Sequence, residues 1–138
     1  MARVSDVELL EDLLAVEARQ AAAYEAALRR DAIDAALGEE LLEHEREHAA
    51  ALERRLDTAE RNPRASVPSP ELTRALRSRE EFARYALDLE DAAVAAYAEA
   101  AANIGDARLR QPLGSIMACE AAHRVALRDA LGLRPLVD

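Results

Sequence analysis

Apolar residues recur along this chain every three to four positions in four long stretches, and glutamate, aspartate and arginine fill the intervals. That period is the mark of amphipathic α-helices, each turning one stripe toward a core. The first stretch opens on Ser5 with Glu8 three residues on, a capping box, and carries Leu10, Leu14, Glu17, Ala21, Tyr24 and Leu28 on one face before stopping near Arg30. The second runs from Asp31 or Asp34 to Ala59 and aligns Leu41, Glu45, His48, Leu52 and Leu56. RNPRASVPSP then breaks the pattern with three prolines and reads as a linker. A short helical piece begins at Ser69-Pro70, where serine caps and proline suits a first turn. Ser78 with Glu81 is a second capping box; the third stretch groups Ala83, Leu87, Glu90, Val94, Tyr97 and Ala101 and ends at Gly105. Asp106 is expected to cap the fourth, which passes Pro112 with a kink, aligns Ile116, Glu120, His123, Leu127 and Leu131, and closes at Gly132 and Pro135.

The pattern also repeats. AVEARQAAAYEAA and DLEDAAVAAYAEA set Glu17 on Glu90 and Tyr24 on Tyr97, while EREHAAALERRL and EAAHRVALRDAL set Glu45, His48, Leu52 and Leu56 on Glu120, His123, Leu127 and Leu131. The period is too long for a solenoid unit, so the chain reads as two copies of one helical hairpin. The expected architecture is a single all-α domain over residues 1–138, a four-helix bundle of two repeated antiparallel hairpins. Hairpin 5–61 and hairpin 79–132 are joined by a long crossover, the linker 62–78.

In an antiparallel hairpin, residues equally far from the turn lie at one height. Glu17 and Glu45 are equidistant from residue 31, and Glu90 and Glu120 from Gly105. At 1.5 Å per residue each pair lies about 20 Å from its turn, in the middle of the bundle. All four glutamates sit on the apolar stripes, with no basic residue on those stripes to pair with them. Bare carboxylates there would each cost several kcal/mol in lost hydration, so they must be protonated or find cations. Two divalent ions would balance four carboxylates, and His48 and His123, one turn along the same faces, offer nitrogen donors.

Composition narrows the function further. A net charge of -9 and a pI of about 4.9 argue against nucleic acid or an anionic membrane surface as partner. No apolar run approaches the roughly 20 residues of a membrane span. Acids in MARVSDVELLED occupy the place of a secretion signal's apolar segment, so a cytoplasmic location is expected. The single cysteine, Cys119, excludes an internal disulfide and a Cys-x-x-Cys knuckle. All basic residues are arginine, which removes Schiff-base and P-loop lysines, and four glycines without Gly-x-Gly-x-x-Gly make a dinucleotide fold improbable.

The order Glu, Glu-x-x-His, Glu, Glu-x-x-His resembles that of the ferritin-like dimetal-carboxylate superfamily, over all four long helices. By that resemblance Glu17 and Glu90 are terminal ligands, Glu45 and Glu120 carboxylates bridging both metals, and His48 and His123 one nitrogen ligand each. Tyr24 and Tyr97 resemble tyrosines that hydrogen-bond ligand glutamates; the plainer reading is two core aromatics. The resemblance implies two divalent ions, iron first and manganese second, reacting with dioxygen or hydrogen peroxide. The implied activity is of ferroxidase or peroxidase type in iron or oxidative-stress handling, with a separate reductant protein and no side chain set apart as acid or base. The tail LRPLVD is too short for the fifth helix of a large storage cage, so a monomer or small homo-oligomer is expected. The alternative is a non-catalytic metal-binding or structural bundle.

Other polar residues read more plainly. Gln20, whose counterpart is Ala93, is expected to pack rather than approach the metals. His44, about 100° round the helix from Glu45, reads as a boundary or interface histidine ahead of an extra ligand. Its counterpart is Cys119, and many relatives carry an acidic residue here that supports the partner histidine, so what orients His48 and His123 stays open. Glu39, Glu40, Glu43, Glu47 and Glu53 read as a solvated helix surface.

Overall fold

A computed structural model describes residues 4–56 and 69–134. Helix α1 spans Asp6–Arg29, α2 Ala35–Glu53, α3 Pro70–Ala75, α4 Arg79–Asn103 and α5 Arg110–Ala130. Ser5 and Glu8 form the expected reciprocal capping box of α1, and Asp34, Ser69 and Ser78 cap α2, α3 and α4. The turn between α1 and α2 needs one residue in the left-handed region, and Asp31 takes it at φ 52°. Gly132 does the same after α5 at φ 71°.

The two hairpins lock each other at their turns. Asp6, at the start of α1, accepts from the backbone N–H groups of Gly105 (2.7 Å) and Asp106 (2.8 Å) in the second hairpin's turn. Arg79, at the start of α4, reaches back to the Asp31 carboxylate (2.7 Å) and carbonyl (3.3 Å) in the first hairpin's turn. Helices α1 and α4 therefore run antiparallel. The end of α2 and the start of α4 lie at opposite ends of the bundle, and residues 57–68 of the expected crossover lie outside the described residues.

Burial splits the core into two apolar clusters. One gathers Tyr24, Ile33, Leu41, Phe82 and Leu127 near the first turn, with Leu72 and Ala75 of α3 closing it. The other gathers Leu10, Leu13, Leu52, Tyr97, Ile104 and Leu113 near the second. On every long helix the glutamate lies between its contributions to the two clusters, so the polar layer is sandwiched.

Three expectations are corrected. The buried stripe of α1 is Leu10, Leu13, Glu17, Gln20, Ala23, Tyr24 and Ala27, leaving Leu14, Ala21 and Leu28 half-buried. In α4, Phe82, Ala86, Ala93 and Ala100 join Ala83, Glu90 and Tyr97 inside, while Leu87, Val94 and Ala101 are half-buried. Helix α1 packs on α2 and α4, and α4 on α5, α1 and α3. The buried arc is centred where alanines permit close approach, rather than on the largest residues. Second, Pro112 makes no kink. Asp106 caps a 3-10 turn, Ala107–Leu109, and α5 starts only at Arg110. Proline then sits in a first turn, where its missing N–H has no intrahelical partner to lose. Third, α2 ends at Glu53, not at Ala59: Arg55 and Leu56 donate to carbonyls three residues back, tightening the chain out of α-helix. Ala59 itself lies outside the described residues.

Candidate metal centre

All four glutamates, one from each long helix, are 0 % exposed, a burial that carboxylates tolerate only with partners. Glu17 reaches the layer from α1, Glu45 from α2, Glu90 from α4 and Glu120 from α5. Three residues after each α2 and α5 glutamate, His48 and His123 present Nδ1 to the same layer. Among the described residues, the ion-pair partners of these carboxylates are the two histidines.

The donors form two sets. Glu17, Glu45, His48 and Glu120 each place one ligand atom within 4.8 Å of the others, and so do Glu45, Glu90, Glu120 and His123. Glu45 and Glu120 belong to both. His48 Nδ1 lies 3.1 Å from Glu120 Oε1, 3.3 Å from Glu45 Oε2 and 3.5 Å from Glu17 Oε2. His123 Nδ1 mirrors it at 3.1 Å from Glu45 Oε1, 3.2 Å from Glu120 Oε2 and 3.5 Å from Glu90 Oε1.

One ring N–H can satisfy one of three acceptors, not all. Despite these short distances, His123 Nδ1, Glu45 Oε1 and Glu17 Oε2 have no properly aligned hydrogen-bond partner. Atoms with lone pairs converging on a point without donors aimed between them are arranged as metal ligands are. The donor set of carboxylates and imidazoles, buried and close-packed, fits divalent metal ions.

The electrostatics say the same. Burial raises Glu17 and Glu90 to about 9, with the neighbouring carboxylates adding to the shift against the pull of the histidines. Burial opposes the charge on Glu120 too, but the imidazoles of His123 and His48 close against it outweigh burial and hold this carboxyl below the usual range. Burial works against protonated imidazole; contacts with three carboxylates prevail, raising His48 and pushing His123 up to about 12. Without metal the layer keeps protons that a cation would displace.

Hydrogen bonds around the layer run between the hairpins. Tyr24 of α1 donates its hydroxyl to Glu90 Oε1 of α4, and Tyr97 of α4 donates to Glu17 Oε1 of α1. Both rings are fully buried, and burial together with the adjoining carboxylates raises the phenols further, so they remain donors. The tyrosines thus hold the glutamates of the opposite repeat.

Two residues were under-read in the sequence. Gln20 is not mere packing: its amide Nε2 donates to Glu90 Oε2 at 2.9 Å and to Glu120 Oε2 at 3.3 Å, while its counterpart Ala93 is an apolar core residue. Its place three residues after Glu17, one turn along the same face, was the available signal. His44 is half-buried, and its Nδ1 lies 3.0 Å from His123 Nε2, with the rings nearly parallel at 4°. It is therefore the boundary residue expected and also a partner of His123, in the place where an acidic residue was missed. Glu39, Glu40, Glu43 and Glu47 are exposed as expected, and Glu53 is half-buried.

Among the described residues no helix is long and apolar enough to cross a membrane. No curated protein and no solved structure matches the chain. The family model described as a ferritin-like domain, however, matches residues 5–133, from the cap of α1 to just past α5. With that match, and with one inward glutamate on each helix of a two-hairpin bundle, the chain belongs to the ferritin-like domain family.

Proposed function

We propose that the chain holds a dinuclear centre of two divalent ions, iron first and manganese second, and reduces dioxygen or hydrogen peroxide there in the manner of a ferroxidase or peroxidase. The observation that carries this reading is the sharing of Glu45 and Glu120 by both donor sets. Separate sites would have separate carboxylates; shared ones favour two ions acting together. A pair of ferrous ions held by these residues would supply the electrons an oxidant needs. Oxygen and nitrogen donors without thiolate suit iron and manganese.

The chain's own residues do the rest. Glu17 with His48 and Glu90 with His123 serve as the unshared ligands at each end. Tyr97 and Tyr24 engage one oxygen of Glu17 and of Glu90, and Glu17 Oε2 stays unbonded and faces the layer. Gln20 steadies Glu90 and Glu120 from one side, which makes the two ends unequal. The apolar clusters on both sides limit bulk water and so strengthen every charge interaction within. Electrons return from a separate reductant protein.

Anaerobic titration with ferrous iron should saturate at two ions per chain, and mixing the loaded protein with dioxygen or peroxide in a stopped-flow cell should give oxidation of both. A saturation value of one would refute the dinuclear centre. Two bound ions inert to both oxidants would instead make the chain a metal-stabilised structural bundle.

A further inference from the structure

Beyond the carboxylate layer, a second cluster of metal-ligating atoms meets on the outer side of His123. His44 Nδ1, Cys119 Sγ and His123 Nε2 form a closed triangle: 3.0 Å between the two nitrogens, 3.5 Å from Cys119 to His123 and 3.9 Å from Cys119 to His44. Each contributes one ligand atom to a group whose members all lie within 4.8 Å. Metal–sulfur bonds of about 2.3 Å and metal–nitrogen bonds of about 2.0–2.1 Å at tetrahedral angles put ligand atoms roughly 3.3–3.6 Å apart. The 3.5 Å edge falls within that range and the 3.0 and 3.9 Å edges lie about 0.3 Å to either side of it, so small side-chain shifts bring the triangle to one face of a tetrahedral site.

The cluster arises from the repeat. His44 and Cys119 occupy the same position in the two hairpins, each immediately before a shared glutamate. Cys119 lies one helical turn before His123 on α5, and His44 comes across from α2 to the same ring. Both are half-buried, so solvent reaches this edge of the cluster. We propose that His44, Cys119 and His123 form a second metal site, for a soft or borderline cation of which zinc is the type. Two imidazole nitrogens and a thiolate suit such an ion, whereas the carboxylate layer suits harder ones. Binding releases two protons to solvent, the thiol proton of Cys119 and the one shared between His44 Nδ1 and His123 Nε2, and the fourth ligand is water. The shared ring couples the two sites, because an ion on Nε2 takes the position where this nitrogen otherwise exchanges a hydrogen bond with His44.

Cobalt(II) chloride is the probe, added anaerobically to the reduced full-length chain. Cys119 is the only cysteine in the protein. A sulfur-to-cobalt charge-transfer band in the near ultraviolet therefore reads this site alone, whether or not the carboxylates load. The band should saturate at one ion per chain, vanish in Cys119→Ser and be displaced by zinc. In His44→Ala and in the milder His44→Gln its midpoint should rise by at least the roughly 10- to 100-fold that losing a supporting group costs metal sites. Cys119→Ser should keep the wild-type circular dichroism and ferrous stoichiometry of the carboxylate layer. No band in the wild type would overturn the proposal. So would a band with an unchanged midpoint in both His44 variants, which would mean thiol binding alone, or one saturating at half an ion per chain with dimer formation.

Discussion

At the scale of single residues, the shared glutamates and the crossed tyrosines make different demands. Glu45 and Glu120 each belong to both donor sets, so in the proposed dinuclear centre Glu45→Ala or Glu120→Ala would remove a ligand from both ions at once. Oxidant-dependent turnover in either variant should fall to background in stopped-flow absorbance. Tyr24→Phe keeps the buried ring, which packs edge-on to Phe82 at 6.0 Å, and removes only the hydroxyl that Glu90 accepts from. Its metal count should stay at the wild-type value while the rate drops by roughly 10- to 100-fold, the usual cost of losing a group that orients a ligand. A Tyr24→Phe protein that turned over like the wild type would show that Glu90 is held by Gln20 alone.

At the scale of elements, the turn locks look equivalent but are not equally strong. Asp6 accepts two backbone N–H groups with one carboxylate, and one of those bonds is partly buried. Arg79 and Asp31 meet on the surface, with side chains 57 % and 83 % exposed. Hydrogen bonds to a charged group contribute more than a solvated ion pair, so Asp6→Ala should cost about 1–2 kcal/mol. Arg79→Ala should cost under about 1 kcal/mol. Urea unfolding monitored by circular dichroism separates them, and equal losses would refute this ranking.

At the scale of the whole molecule, the buried layer ties stability to pH and metal. In the metal-free fold Glu17 and Glu90 keep their protons up to about 9, against 4.5 for an ordinary glutamate. The folded chain then holds more protons than the unfolded one between those values, so their contribution is full below about 4.5 and is lost as pH rises toward about 9. His123 acts in the same direction, its contribution full below 6.5 and lost toward about 12. Glu120, lowered, acts oppositely but only in acid. Metal ions replace these protons and bind more tightly as pH rises. The melting temperature of loaded over chelated protein should therefore exceed by more at about pH 8 than at about pH 5. Differential scanning calorimetry at both pH values checks this; a gap that is constant or shrinks with pH would show that metal displaces no protons from the layer.

The helices, the two-hairpin repeat and the level placement of Glu17, Glu45, Glu90 and Glu120 were legible in the sequence, because helical period and distance from a turn are properties of one segment at a time. The same local rules placed His48 and His123 beside the glutamates and the caps at Ser5, Ser69 and Ser78. What they left open depends on how one helix is rotated against the next. Leu14 against Leu13, or Leu87 against Ala86, differ by about 100° on a helix, and the neighbours decide which turns inward. That choice brought Gln20 into the layer, crossed the tyrosines between hairpins, and set His44 and Cys119 together beside His123. It also set the start of α5 after a 3-10 turn, where Pro112 bends nothing. Contacts between helices are not periodic in any single segment, and only the packed bundle determines them.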